Sequence, residues 1–241
     1  MLTLSQVFGS KSVIMKEEKR LSKEEAIITA AEKVFSKVGY RNAKMEDVAK
    51  LAGITKVTLY SYFQSKENLY MALTYRGFQK LLNGYYQVID KYKNKPGLYS
   101  ALALLDKFMD FASENFVYNE ALLNYFSTVR SGDEQKLSDA LKESIYFKKM
   151  QDIHNLLFKL AAKEIIRGKK DGSIKNNLDP MFLSMHAWTM VIGYSKLLVA
   201  SGNSETTIFH TRMPDLKKMI LQTAKIVLET DIDLDTDVFK N

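Results

Sequence analysis

Residues 27–73 read IITAAEKVFSKVGYRNAKMEDVAKLAGITKVTLYSYFQSKENLYMAL, and this stretch decides the fold. Ile27, Ile28, Ala31, Val34, Phe35 and Val38 recur at helical spacing on one face, and Gly39 follows them, suited to a left-handed helix end. The pattern predicts a helix opening near Ser22, whose hydroxyl can cap it with Glu25 three residues on. A short second helix over 45–52 turns Met45, Val48, Ala49 and Ala52 inward and closes at Gly53. Thr55 can then cap a third helix running to about Phe63, and Ser65 starts a fourth that continues to about Tyr92. Two short helices joined through Ala52, Gly53, Ile54 and Thr55, and braced by a longer one in front, make a helix-turn-helix pattern. A helix of that kind has the width to enter a DNA major groove.

On the third helix Leu59 and Phe63 stand four apart and should face inward, which leaves Lys56, Val57, Thr58, Tyr60, Ser61 and Tyr62 for the outer or flanking faces. Hydroxyls of Tyr and Thr donate to phosphate oxygens, Lys adds charge, and the unpaired amides of the helix opened by Thr55 favour anions. Sequence reading needs side chains at base edges: Lys56 can address guanine, Thr58 a purine edge or a thymine methyl, and Val57 a thymine methyl.

Three ordered blocks carry a family resemblance. They are A-x-x-x-F-x-x-x-G-Y over 31–40, D-V-A-x-x-A-G-I over 47–54 and T-K-x-T-L-Y-x-Y-F-x-S-K-E-x-L over 55–69. Together they strongly resemble the DNA-binding domain of the TetR family of bacterial transcriptional regulators. That resemblance implies a homodimer whose recognition helices enter successive major grooves of a near-palindromic operator, repressing transcription until a small molecule binds the carboxy-terminal domain. By position it places Thr55, Lys56, Val57 and Thr58 at or near the groove, Tyr60 and Tyr62 on the backbone, and Lys66 on phosphate from the next helix. Phe35, Tyr40, Val48, Leu59 and Phe63 would be mainly core. Two positions depart from the family habit. Lys44 stands where Thr or Ser commonly caps the second helix; it cannot accept the capping bond but can meet phosphate by charge. Val57 stands where a small residue is common, which adds bulk to the reading surface.

Outward from this stretch the chain remains helical in pattern. Few Gly and Pro and recurrent spacing of three and four predict helices near 99–116, 119–130, 134–167, 180–200 and 214–230, with Asp179 and Pro180 as cap and first turn. The expected architecture is all-α. An amino-terminal tail covers 1–21, a helix-turn-helix DNA-binding domain 22–75, and a larger helical ligand-binding and dimerisation domain 76–241. Residues 180–200 are apolar nearly all round and need cover on both faces, which a homodimer interface supplies; the resemblance implies the same interface, with 214–230 as its second contributor. Ser184, His186, Thr189 and Lys196 within that stretch argue for a buried helix over a membrane span. Phe108, Phe111, Tyr125, Phe126, Phe147, Met150, His154 and Trp188 are the candidates for lining an apolar effector site, with His154 or a Tyr hydroxyl as a polar contact.

Charge and chemistry narrow the function. A surplus of 35 − 28 = +7 favours an anionic partner. Zero Cys removes thiol nucleophiles, Cys zinc sites and iron–sulfur clusters. His154, His186 and His210 lie far apart, and neither a phosphate-binding glycine loop nor a G-x-S-x-G motif is present. The expectation is therefore a regulator without catalysis, cofactor or metal. Residues 1–10 lack the features of a secretory signal, which points to the cytoplasm. A helical carrier or enzyme for an apolar small molecule, with a merely structural amino-terminal module, stays open as the alternative.

Overall fold

The computed structural model describes residues 11–129, 138–202, 204 and 210–235, and every extended regular element among them is a helix. In order these are α1 Lys11–Asn42, α2 Met45–Leu51, α3 Lys56–Tyr62, α4 Lys66–Lys91, α5 Gly97–Glu114, α6 Phe116–Val129, α7 Asp139–Lys142, α8 Ile145–Ile153, α9 Leu156–Lys170, α10 Pro180–Ala200 and α11 Met213–Glu229. Among the described residues one compact unit comprises 11–74 with 138–148, and a second takes in 75–129 and 149 onward.

In the first unit α1 packs on α2 and α2 on α3. Ile27, Ile28, Ala31, Phe35, Val48 and Leu59 are buried at the centre, as the periodicity predicts, and Phe63 joins them. Val38 departs from the expected face and is exposed. The helix begins earlier than expected. Residues 11–21 continue α1 without a break, so Ser22 lies inside it and caps nothing. The reason is local: Lys, Glu, Met and Leu dominate this stretch, no Gly or Pro interrupts it, and Glu17 pairs with Arg20 at 3.5 Å on the surface. What breaks α1 is Gly39, at φ 73°, a backbone conformation that a side chain would strain.

The expected helix over 134–167 is three pieces where it is described. Ser138 caps α7 by accepting from the Leu141 N–H at 3.3 Å, and Ser144 accepts from the Phe147 N–H at 3.4 Å to open α8. A turn at His154 and Asn155 separates α8 from α9. Serines at helix starts compete with the helical ladder, which apolar periodicity alone does not register. The expected break at Ser131 and Gly132 lies outside the described residues, as does Arg130. Residues 138–148 belong to the first unit through specific contacts: Ser138 hydrogen-bonds Glu67, the Tyr146 hydroxyl donates to Glu24, and the Tyr146 ring stacks on Phe63 at 6.3 Å.

The second unit is organised around α5, which packs against α6, α9, α10 and α11. Where α5 starts, its backbone meets α9 so closely that a Cβ on Gly97 would lie 2.1 Å from the Gly168 nitrogen. Pro96 offers α5 no side-chain cap. The loop after α9 supplies one instead: the Asp171 carboxylate accepts from Gly97 N–H at 2.8 Å and the Ser173 hydroxyl accepts from Leu98 N–H at 3.1 Å. These bonds hold the Asp171 carboxyl below the ordinary carboxylate range, the Ser173 side chain contributing most, with Gly97 N–H and the Arg167 charge adding to it. Asp179 caps α10 as expected, accepting from Met181 and Phe182 N–H at 2.9 Å. Among the described residues no helix is long and apolar enough to cross a membrane.

Candidate functional site

The candidate recognition surface follows from how α3 starts. Thr55 has extended backbone and its hydroxyl accepts the Thr58 N–H at 3.1 Å, closing the first turn. The two threonine hydroxyls also share a hydrogen bond at 2.9 Å. Leu59 and Phe63 anchor the opposite side in the core, both 3% exposed or less. Rotation of the helix is thereby set. Val57 projects at 81% exposure, Lys56 and Tyr60 are exposed beside it, and Thr58 and Tyr62 are half-buried at the flanks. The Ser61 hydroxyl turns back to the Thr58 carbonyl at 2.7 Å, which leaves it less free than Tyr60 to meet a ligand.

Lys56 is not alone. Its ammonium pairs with Glu46 on the first turn of α2 and lies 5.9 Å from the centre of the Tyr60 ring. The bond from Lys56 pulls the Glu46 carboxyl below its ordinary range, and the same bond raises the Lys56 ammonium. Sequence reasoning missed Glu46, because a pair ten positions apart becomes adjacent only once the helix-turn-helix forms. Lys44 precedes α2 with extended backbone and no side-chain cap, as its chemistry requires, and stands exposed.

Lys66 is placed differently from expectation. Its Nζ donates to the carbonyls of Tyr40 at 2.9 Å, Arg41 at 3.2 Å and Ala43 at 3.1 Å, and lies 4.6 Å from the centre of the Tyr40 ring. All three ammonium protons are therefore engaged within the protein, at the carbonyl-rich end of α1 where a cation is favoured. Its geometry is that of an internal clamp.

In the second unit an apolar cleft with a cavity volume of about 60 Å³ is lined from α4, α5, α9, α10 and α11. Of the candidates named from sequence, Phe108 and Trp188 line it. Phe126 packs edge-on against Trp188 at 4.9 Å and supports that wall from behind. Phe111, Tyr125, Met150 and His154 do not line it, and Phe147 belongs to the other unit. Phe111, Tyr125, Phe147 and Met150 are buried core instead. The lining that sequence reasoning missed is mostly aliphatic, including Leu102, Leu105, Leu157, Ile165 and Leu183, with Tyr85, Ser184 and His186 as polar-bearing members. Aromatic content was the wrong guide, since most of those rings fill the core between helices.

Comparison with known proteins bears on the first unit most directly. The family model for bacterial regulatory proteins of the tetR family matches residues 27–73. The HTH-type transcriptional regulator RutR of Escherichia coli is 44% identical over 52 residues, 22% of this chain and 24% of RutR. The HTH-type transcriptional activator FasR of Mycolicibacterium smegmatis is 32% identical over 91 residues, 37% of this chain and 42% of FasR. The chain thus matches about a quarter of the length of RutR. Among solved structures, a TetR/AcrR-family regulator from Thermobifida fusca superposes with a TM-score of 0.64 at 17% identity, covering 85% of this chain and 97% of that one. FadR from Bacillus subtilis, solved in complex with stearoyl-CoA, gives 0.59 at 17% identity over 84% and 98% of the two chains. These similarities in structure establish a shared fold. Joined to the three sequence blocks and the capped helix-turn-helix they form, they show an amino-terminal helix-turn-helix domain of the tetR family over residues 27–73, followed by a larger helical domain with the fold of those regulators.

Proposed function

We propose that the chain is a ligand-responsive transcriptional regulator that binds a near-palindromic operator as a homodimer and represses until a small apolar effector releases it. The observation that carries this reading is the outer face of α3. Thr55, Lys56, Val57, Thr58, Tyr60 and Tyr62 lie along one short helix whose other side is locked into the core. In the bound state Lys56, Val57 and Thr58 meet base edges while Tyr60, Tyr62 and Lys44 meet phosphate. Lys66 supports the surface from within by tying the end of α1.

Two further features support the wider reading. On α10 the positions Phe182, His186, Thr189, Gly193 and Leu197 are all exposed at spacings of three and four, and on α11 Met219, Gln222 and Ile226 repeat this. Two neighbouring helices with largely uncharged outward stripes suit a self-complementary interface between copies. The apolar cleft supplies a place for the effector, and FadR, which shares the fold, binds an acyl-CoA. Helix α4 contributes residues to both units, so an effector that favours a dimer with its α3 helices at the wrong separation would lower operator affinity.

The test is a fluorescence-anisotropy titration of the purified dimer against duplexes from the region upstream of its own gene. Binding that weakens steeply with salt is expected, and the double variant Thr58→Ala/Tyr62→Ala should lose it. Undiminished binding by that variant would remove α3 from the interface.

A further inference from the structure

The cleft in the second unit is mostly apolar, and of its polar-bearing members Tyr85, Ser184 and His186 only Tyr85 is both buried and without a hydrogen-bond partner for its side chain. Tyr85 lines it, is 6% exposed, and has no hydrogen-bond partner for its hydroxyl among the described residues. Burial pushes its phenol up, so the proton stays on at any physiological pH. The hydroxyl oxygen keeps a little accessible surface and has no protein partner among the described residues, so an acceptor entering the cleft can take its proton without displacing one. The other polar-bearing side chains of the wall are less available. Ser184 donates its proton to the Phe158 carbonyl at 3.3 Å. His186 is exposed. Trp188 is half-buried, with Phe108, Phe126 and Phe158 set edge-on around it at 5.2, 4.9 and 5.0 Å.

Charge narrows the ligand further. Neither Lys nor Arg is among the lining residues, nor is Asp or Glu. A carboxylate or an ammonium buried here would lack a counter-charge, and an isolated buried charge is far costlier than a buried dipole. An acceptor without formal charge meets the Tyr85 proton with no such cost.

Resting on the reading of this cleft as the effector site, we propose that Tyr85 is its polar anchor and that the effector is a neutral, largely apolar molecule whose carbonyl-type oxygen accepts the Tyr85 hydroxyl. Tyr85 is also the lining residue contributed by α4, the helix whose earlier residues, Asn68 to Thr74, belong to the unit that carries α3. The anchor is therefore the point at which an effector engages the element shared by both units. It selects ligands by a donor that charged molecules cannot use without leaving their charge unpaired.

The chain carries a single Trp, at 188 in the cleft wall, so its emission reports occupancy without a label. The probes are 2-nonanone and nonanoate, matched in length, the first neutral and the second anionic at neutral pH. In the full-length protein 2-nonanone should change Trp188 emission at a concentration at least about tenfold lower than nonanoate. Tyr85→Phe should weaken 2-nonanone by about five- to tenfold, leave nonanoate unmoved, and melt at the same temperature or higher, because the lost hydroxyl had no partner. Equal binding of the two probes, full retention of 2-nonanone affinity by Tyr85→Phe, a lowered melting temperature in that variant, or no emission change with either probe would each overturn the assignment. Duplex binding by the same preparation without probes is scored separately. Its absence would overturn the regulator reading while leaving the Tyr85 result standing.

Discussion

Replacing Lys66 by Met separates two roles for one residue. Met keeps the length and the apolar stem over the Tyr40 ring but removes the charge and all three donors, so the carbonyls of Tyr40, Arg41 and Ala43 lose their partner together. Hydrogen bonds from a charged donor contribute about 1.5–3 kcal/mol each. The bond to Arg41 is solvent-exposed and its carbonyl can turn to water, so the two part-buried ones decide the outcome. Allowing for their shared donor, the loss is about 2–4 kcal/mol. For a chain of this size that lowers the melting temperature by about 5–12 °C. Thermal melting followed by circular dichroism reads this directly, and a salt series of duplex binding reads the alternative. Internal clamping lowers the melting temperature and leaves the salt slope of the folded protein unchanged. A melting temperature within a degree of the parent, with a slope shallower by about 0.9, would refute the clamp and restore Lys66 to the phosphate surface.

Other expectations follow from the same bonds. Thr55→Ala removes the cap of a seven-residue helix and should cost about 1 kcal/mol, while Thr55→Ser, which keeps the hydroxyl, should recover most of it; urea unfolding measures both. Gly97→Ala drives a methyl into the α9 backbone at 2.1 Å, where nothing can give, and should cost about 1–3 kcal/mol or more. Gly84→Ala meets only the flexible end of Lys107 at 2.8 Å and should cost under about 1 kcal/mol in the same assay. Asp171 makes part of the stability pH-dependent. Its folded carboxyl titrates below its unfolded value near 3.9, so its contribution is complete above that value and is lost as pH falls through the folded one. Asp171→Asn should therefore flatten the fall in melting temperature below about pH 4, measured across a pH series, while lowering stability at neutral pH.

Much of the first unit was legible because its signals are local. Thr55 caps α3 where a hydroxyl precedes a helical run, Leu59 and Phe63 face inward at a spacing of four, and Gly39 takes a positive φ where apolar periodicity stops. The pairing of Glu46 with Lys56 and the three-carbonyl clamp of Lys66 were not legible, because each joins side chains that neighbour one another only after the turn closes. Charge in a sequence shows that a Lys exists, not which acceptors surround it. The larger unit was read well where caps and length coincide, as at Asp179 and α10, and poorly over 134–167, where apolar spacing continues through serine-capped breaks. The cleft was least legible. Aromatic residues stand out in a sequence, yet Phe111, Tyr125 and Phe147 fill interhelical gaps while aliphatic residues and Tyr85 line the open space. Helical periodicity gives one inward face and cannot divide that face between packed core and cavity wall.

Sedimentation velocity of the full chain at micromolar concentration, with and without a labelled duplex from its own upstream region, bears most directly on the reading of α3 as a DNA-recognition helix carried twice by a dimer. The expected result is a dimer that binds the duplex, with an affinity that falls steeply as salt rises and disappears in Thr58→Ala/Tyr62→Ala. A monomer that leaves the duplex free even at low salt would contradict it.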